Sequence, residues 1–210
     1  MKLISNDLHD QQPIPPRFAF GKLADDAPMA LSENVSPHLS WSGAPAATRS
    51  FAVVCVDVDV PSRVDDVNQE GKVLPADMPR VDFFHWVMVD VAPDVTELAT
   101  GSCGKGITPG GKKNPPGPDG ARQGINDYTN FMAGDPELAG QYFGYDGPCP
   151  PWNDELLHRY VFTVYALDIE RLELPDAFTG ADALKAMEGH ILEQASLTGT
   201  YSLNPKLSKG

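Results

Sequence analysis

The sequence has few cysteines and few positive charges. Its 210 residues contain 3 cysteines, and 16 Lys and Arg residues stand against 29 Asp and Glu residues. The odd number and scattered spacing of Cys55, Cys103 and Cys149 are typical of free thiols in a reducing compartment, not of a disulfide framework or a zinc site. A net charge of -13 repels phosphate backbones and anionic bilayers, so we expect neither nucleic acid nor bulk membrane as a partner.

Long apolar segments are also missing. No run approaches the length of a membrane-spanning helix, and the first residues lack the apolar core and cleavage site of a signal peptide. We therefore expect a cytoplasmic protein. The length favours a single domain over residues 1–210, with an extended arm at 1–30 and a flexible tail at 203–210. The 20 prolines and 19 glycines favour many turns and few helices, which makes all-β the predicted fold class.

Three stretches predict strands that are buried on both faces: residues 51–61, 83–91 and 158–168. Each alternates as a strand does, and both sets of side chains are mostly apolar. The first stretch carries Asp57 and Asp59 near its end, and these carboxylates are either paired or solvated where the strand emerges. A histidine such as His85, within the second stretch, is by itself more often a core residue than a functional one. The third stretch begins with His158, which places acids and histidines at one shared rim.

A long C-terminal helix is predicted from an apolar stripe through about Ser196. Thr179 and Asp182 resemble a capping box at its start. The stripe consists of Leu184, Met187, Ile191, Leu192 and Ala195. Short helical turns are expected after Asp135.

Less regular segments carry further expectations. We expect an edge strand near residues 17–20, a surface position for His38, and a last strand at residues 197–202. The segment from Gly106 to Lys113 has the glycine spacing of a phosphate-binding loop. It lacks the final Ser or Thr, and the following prolines forbid the required helix, so we reject that interpretation. We expect a solvated loop here, with attraction of anions to the pocket entrance by Lys112, Lys113 and Arg122 as the alternative.

Several separated motifs occur in one order along the chain. They are Asp-Val-Asp-Val-Pro-Ser-Arg at 57–63, His-Trp at 85–86, Gly-Pro-Cys-Pro-Pro at 147–151 and His-Arg-Tyr at 158–160. With these motifs the chain closely resembles the phosphatidylethanolamine-binding protein family, and more narrowly its bacterial Raf-kinase-inhibitor-like branch. The resemblance covers residues 30–202.

This resemblance implies a β-sandwich with a small pocket for phosphate-like or other small anions, including phospholipid headgroups. The family's pocket positions fall on these residues: Asp57, His85, Cys149 with Pro150, His158 and Tyr160. Asp59 and Arg159 match positions that hold loops in place, and the Val60–Pro61 bond would be cis. The resemblance also implies a protein partner such as a kinase or protease. It implies no cofactor and no metal.

Two departures from the family pattern concern the pocket mouth. Val58 stands where members often have proline, and Leu156 stands where they have glycine before the last motif. The added residues 152–155 could likewise change the ligand. Physically, a histidine that donates one N–H to a carboxylate has its tautomer fixed and its charged form favoured, so the other N–H can reach an anion. Tyr160 adds a hydroxyl.

The sequence leaves three hypotheses. The first is a non-catalytic binding protein for a small anion, because the predicted pocket has donors and acids but no evident nucleophile. The second is a hydrolase-like enzyme that uses His85 and His158 as acid and base, or Cys149 as nucleophile. The third, ranked last, is a metalloprotein in which Asp57, His85 and His158 act as ligands. A homodimer is an open alternative to a monomer.

Overall fold

The computed structural model describes residues 1–207. Its helices are short. They are a 3-10 turn at Pro16–Phe18, α1 (Tyr128–Phe131) and α2 (Gly180–Met187). The strands are β1 (Lys2–Ile4), β2 (Gln12–Pro13), β3 (Gly21–Lys22), β4 (Ala30–Leu31), β5 (Leu39–Ser42), β6 (Ser50–Pro61), β7 (Arg80–Val91), β8 (Glu97–Leu98), β9 (Arg122–Gln123), β10 (His158–Leu167) and β11 (Ile191–Tyr201).

A six-stranded sheet in the order β2-β11-β10-β6-β7-β9 forms the centre of the molecule. Its four long strands are antiparallel neighbours, and β10 and β7 flank β6. The register places Tyr160 opposite Asp57 and Asp57 opposite Phe83, which aligns three pocket residues across three strands. The β6–β7 pairing shifts register between Asp57 and Val60, and such irregularities redirect side chains beside functional sites.

Both faces of the central sheet are buried, as the two-faced strands predicted. One face packs Phe51, Val53 and Phe162 against Trp41 of the three-stranded sheet β1-β5-β8. The other face carries a second core, which includes Phe178 and residues of α2. Full burial of a side chain such as Phe162 stabilises the fold by roughly 1.5–3 kcal/mol. The long strands are therefore rigid supports for whatever lies at their ends.

The predicted β-sandwich is not the arrangement of the strands. They form three open sheets of six, three and two strands, although the predicted mostly-β class is confirmed. The alternation of apolar residues indicates that both faces of a strand are buried. The alternation does not indicate which strands pair, and for that reason our prediction of the sheet organisation was wrong.

The long C-terminal helix was also predicted wrongly. The capping box of Thr179 and Asp182 is present, but α2 ends at Met187 and Gly189 adopts a positive φ of 81°. Ile191 and the residues after it belong to β11, which pairs with β10 along its length. Gly189, in the left-handed region, ends the helix. The hydrogen bonds to β10 then hold the predicted stripe residues from Ile191 onward in a strand.

Several local expectations need correction. The Val60–Pro61 bond is trans. The expected edge strand near Phe18 is a 3-10 turn. His38 is buried, and its ring contacts Asn6 and Glu97. By contrast, the helical turn expected after Asp135 is present, since the Ala139 backbone N–H donates to the Asp135 carbonyl at 2.7 Å.

The two termini of the described chain are held against the body of the protein. The predicted N-terminal arm pairs β1 with β5 and β2 with β11, and it buries Leu8 and Ile14. The predicted flexible tail begins with buried Leu203, and the Asn204 amide donates to the Asp154 carbonyl. Residues 208–210 of that predicted tail lie outside the described residues. Within residues 1–207, no helix has the length and apolar character needed to span a bilayer.

Candidate ligand-binding site

A pocket of roughly 350 Å³ lies where β6, β7 and β10 meet the proline-rich loop before β10. All the residues predicted to line a ligand site line this one pocket: Asp57, His85, Cys149, Pro150, His158 and Tyr160. Pro61, predicted as structural support, also lines it. The convergence of the motifs is thus observed, whereas their role toward a ligand stays a prediction.

His158 bonds to two carboxylates at once. Its Nδ1 lies 2.7 Å from Asp57 Oδ2 and its Nε2 lies 3.1 Å from Asp154 Oδ2, and the residue is fully buried. Burial lowers the pKa of this imidazole, but the hydrogen bonds to Asp154 and Asp57 outweigh burial and raise the pKa to about 9. The ring is therefore a doubly protonated cation at neutral pH. Because both N–H groups donate to protein carboxylates, His158 has no ring donor left for an anion, contrary to the role we expected.

Asp154 connects this histidine to an arginine. Arg80 approaches the Asp154 carboxylate with Nη1 at 2.6 Å and Nη2 at 3.0 Å, in a bidentate pair. Burial raises the pKa of Asp154, but the hydrogen bonds from His158 and Arg80 have the larger effect. The pKa is lowered overall, so the carboxyl is ionised at neutral pH. The four groups Asp57, His158, Asp154 and Arg80 form a buried chain of alternating charge that is neutral as a whole.

His85 has the opposite electrostatic character. Its Nδ1 lies 2.8 Å from the carbonyl oxygen of Asp146, and because a carbonyl only accepts, Nδ1 carries the hydrogen. Burial has the largest effect on His85 and lowers its pKa. The negative charge of Asp57 raises the pKa, but by less. His85 is therefore neutral near pH 7, and its Nε2 is an acceptor. The expectation of a charged histidine that donates to an anion is wrong for this residue.

Aromatic rings hold His85 in position. The ring centroids of Phe83, Tyr160 and Tyr128 lie 4.8, 5.1 and 5.5 Å from that of His85. Tyr160 is fully buried, and its hydroxyl makes no hydrogen bond of standard geometry among residues 1–207, although it interacts with the nearby Asp57 carboxylate. Burial, and then the charge of Asp57, raise the pKa of this phenol well above its usual range. A buried hydroxyl without a hydrogen bond of standard geometry costs stability, so the Tyr160 donor is available to a ligand.

The proline-rich loop is fixed from behind by a buried carboxylate. Asp146 accepts hydrogen bonds from the side chains of Asn34, Lys112 and Asn126 at 2.7–2.9 Å. Lys112 therefore braces the loop and does not attract anions at the entrance. Gly147 has no room for a side chain, since a Cβ there would lie 2.0 Å from the Phe18 carbonyl oxygen.

Cys149 follows this braced segment between two prolines. Burial raises the pKa of the Cys149 thiol to about 12, so it is not a thiolate at neutral pH. Among residues 148–151 it is the one residue with a backbone N–H, because the others are prolines.

Asp59 and Arg159 have the supporting contacts that we predicted. Arg159 donates to the Asp59 carboxylate from Nε at 2.9 Å and Nη2 at 2.8 Å, and its backbone N–H donates at 2.9 Å. The Asp59 backbone N–H in turn donates to Asp57 Oδ1 at 2.9 Å. Both carboxylates at the end of β6 are thus paired and buried, which decides the alternative that the sequence left open.

These motifs, their order and their geometry agree with comparisons to known proteins. The sequence profile described as "Phosphatidylethanolamine-binding protein" matches residues 4–202. The chain belongs to the phosphatidylethanolamine-binding protein family. It is 34% identical over 202 residues to YbhB of Escherichia coli K12, which covers 96% of this chain and 100% of that protein.

A second relative and a solved structure support the same assignment. A protein of Methanothermobacter thermautotrophicus is 33% identical over 201 residues, covering 96% of this chain and 98% of the relative. The crystal structure of Escherichia coli YbcL, described as a new member of the mammalian family, superposes with a TM-score of 0.68 at 26% identity. That match covers 96% of this chain and 97% of the YbcL chain.

Asp127 is a pocket residue that the sequence did not predict. It lines the pocket, and its Oδ2 accepts the Phe84 backbone N–H at 2.7 Å. Burial is the largest influence on this carboxyl and raises its pKa. Asp127 ends an irregular loop and has no periodic pattern around it, so no local signal identifies it.

Residues 152–155 were expected to affect the pocket mouth, but the contacts by which they hold it were not predicted. The Asn153 side chain accepts from Asn68 N–H at 3.0 Å and donates to the Asp66 carbonyl at 2.8 Å. Trp152 N–H donates to Asn68 Oδ1 at 2.9 Å. The added residues 152–155 therefore fasten the 62–74 loop beside the pocket. The only sequence signal was their departure from the family pattern.

An apolar rim surrounds the polar floor of the pocket. Val64, Val81 and Phe131 are 64%, 48% and 52% exposed although they line the opening. Within residues 1–207, no group of three or more His, Cys, Asp or Glu side chains has an arrangement suited to a metal ion.

Proposed function

We propose that this protein binds a small anion of the phosphate or carboxylate class, including fragments of phosphorylated headgroups, and does not catalyse a reaction. One observation carries the proposal. The Tyr160 hydroxyl is buried in the pocket wall and makes no hydrogen bond of standard geometry in the described chain, although it interacts with the Asp57 carboxylate. A ligand oxygen that accepts from it would remove a cost of about 1–3 kcal/mol. Membership of the family supports the same site.

The absence of catalysis is supported by the state of the candidate catalytic groups. Both His158 nitrogens are engaged by carboxylates, so that ring cannot exchange a proton with a substrate without breaking a buried ion pair. The raised pKa of Cys149 leaves it a poor nucleophile. The hydrolase alternative that uses His85, His158 or Cys149 gains no specific observation from the geometry.

Calorimetric titration with inorganic phosphate and phosphoethanolamine, between about pH 5.5 and 8.5, tests the proposal. We expect Tyr160→Phe to weaken binding about tenfold while stability is kept or slightly raised, because the lost hydroxyl makes no hydrogen bond of standard geometry in the free protein. His190→Ala is the matched control, since that histidine is half-buried at the surface, pairs with Asp168 and lies outside the pocket. Affinity that is indifferent to Tyr160→Phe and to His85→Ala would contradict the anion site.

Three further parts of the proposal concern context. A modulatory effect on a kinase or protease rests on the family resemblance, and pull-down with and without bound anion tests it. A cytoplasmic location rests on three cysteines without disulfide bonds, and cell fractionation tests it. Light scattering distinguishes the monomer from the homodimer.

A further inference from the structure

The pocket has more hydrogen-bond acceptors than donors. None of the described residues that line it is Lys or Arg. The one cation among them, His158, donates both N–H groups to carboxylates. A fully ionised dianion would thus enter without a positive charge to neutralise it, and desolvating it there would be costly.

Two acceptor atoms belong to residues that line the pocket. His85 Nδ1 donates to the Asp146 carbonyl, and because burial lowers the pKa of the ring, Nε2 has a lone pair; it makes no hydrogen bond within residues 1–207. Asp127 uses Oδ2 for the Phe84 N–H, and Oδ1 has no partner in the described chain. The described chain supplies no donor to either atom, and the cost of leaving it unpaired is greater at buried His85 than at half-buried Asp127.

The charges around the pocket strengthen this requirement. Asp57 is compensated by His158, and Asp154 by Arg80, so both of these carboxylates are paired. Asp127 remains the one lining carboxylate without an ion pair in residues 1–207. The titratable or charged groups that face His85 are Asp57 from β6, Asp127 and Tyr128 at the start of α1, Asp146 from the loop before β10 and Tyr160 from β10.

We infer that the pocket selects an oxyanion that still carries a proton: a singly charged phosphate monoester, whose P–OH donates to His85 Nε2 or Asp127 while another oxygen accepts from Tyr160. This inference rests on the proposed function and deepens it. The same geometry rejects oxyanions of equal size and charge that have no hydroxyl, since each would leave a buried acceptor unpaired.

Methyl phosphate and methyl sulfate are the decisive probes. At about pH 5.5 each carries one negative charge and the two have nearly the same shape, but only the phosphate monoester retains a hydroxyl, because its second pKa is about 6. Calorimetry on the full chain should show methyl phosphate binding at least roughly tenfold more tightly, which corresponds to about 1.4 kcal/mol. At about pH 8 methyl phosphate becomes a dianion, so its affinity should fall while that of methyl sulfate stays constant.

Asp127→Asn identifies the acceptor. The amide oxygen can keep the Phe84 N–H bond while the amide nitrogen replaces an acceptor by a donor, so the preference for methyl phosphate should shrink by roughly tenfold. Asp82→Asn removes the same charge at an exposed position that does not line the pocket and should leave the preference unchanged. Circular dichroism confirms that each variant is folded. His85→Ala, which removes the second acceptor, serves if Asp127→Asn does not fold.

The outcomes separate the two proposals. If both methyl esters bind equally at about pH 5.5, the selection of a protonated ligand is overturned while the anion site stands. A preference that persists unchanged in both Asp127→Asn and His85→Ala also overturns it. If neither ester nor inorganic phosphate nor acetate binds, the proposed function itself fails. If the anion site stands, the relative affinities of phosphoethanolamine and inorganic phosphate distinguish a headgroup source from free phosphate.

Discussion

The two histidines of the pocket lie on strands on either side of β6, and they have opposite electrostatic states. His158 contacts two carboxylates and has its pKa raised to about 9, whereas His85 contacts a carbonyl and three aromatic rings and has its pKa lowered. His158 is thus a cation whose two N–H groups are both bonded to carboxylates, whereas His85 is a neutral hydrogen-bond acceptor. The comparison teaches that partners decide the role of a buried imidazole, since both rings are almost inaccessible to solvent.

The largest expected effect is on stability. His158→Ala leaves Asp57 and Asp154 buried without their shared cation, and we expect the free energy of unfolding to fall by about 3–5 kcal/mol. His85→Ala breaks one hydrogen bond to a carbonyl and should cost about 1–3 kcal/mol. Urea unfolding measures both. His190→Ala, at the surface, should change stability by no more than about 0.5 kcal/mol. Equal losses at His158 and His85 would remove the distinction between them.

The second expectation is an opposite pH dependence. His158 has a folded pKa of about 9, above the unfolded value of about 6.5. Its contribution of roughly 3 kcal/mol is therefore fully present below about pH 6.5 and is lost as pH rises through about 9. His85 has a folded pKa below the unfolded value, so its contribution is present above about pH 6.5 and is lost as pH falls toward the folded pKa.

Imidazole proton shifts followed by NMR provide the measurement, with each histidine assigned from its Ala variant. We expect one ring to titrate near pH 9 and another below its ordinary range. For each histidine, the free energy of unfolding of the Ala variant is subtracted from that of the wild type at each pH. The slope of this difference against pH should have opposite signs for His158 and His85. Two rings that titrate together would show that their partners do not differ in effect.

The third expectation concerns the pocket mouth. Asn153→Ala removes the side chain that joins the 62–74 loop to the segment before β10, and we expect a loss of about 2–3 kcal/mol. Amide exchange in residues 62–74 should accelerate, whereas exchange in β10 should not. Asn130→Ala, at an exposed amide on the pocket opening, should leave that exchange unchanged. Protection retained in the Asn153 variant would show that the loop is held by other contacts.

The smallest expected effect is at Cys149. Because its thiol pKa is raised to about 12, alkylation at neutral pH should be slower than for a free thiol in solution. Timed reaction with iodoacetamide and mass spectrometry measures it, with the denatured chain as the reference for a fully accessible thiol. A rate above that reference would indicate an activated nucleophile and would favour the hydrolase alternative.

Much of the pocket could be predicted because its motifs lie at the ends of strongly alternating strands. Asp57, His85, His158 and Tyr160 were placed together from that pattern and from the family resemblance, and one cavity contains them all. The electrostatic roles could not be predicted. They depend on Asp154 and on the Asp146 carbonyl, which are supplied by loops without periodicity.

The prediction of a long C-terminal helix was wrong because contacts distant in sequence override the local pattern. The stripe through Met187 and Ile191 fits a helical period, but a glycine with positive φ and the ladder with β10 convert its second half to a strand. Tertiary pairing outweighed local pattern there. Helix propensities differ by at most about 0.7 kcal/mol per ordinary residue, which is too little to oppose eleven residues of strand pairing.

The sequence by itself determined which strands are buried, which side chains stand at their ends and to which family the pattern is similar, because side-chain alternation and short motifs are local properties. Only the tertiary structure decided that both His158 N–H groups are used by carboxylates, that His85 Nε2 is a hydrogen-bond acceptor and that Asp127 lines the same pocket. Protonation follows from burial and from partners brought together over up to about one hundred residues of chain, and no local pattern encodes those distances.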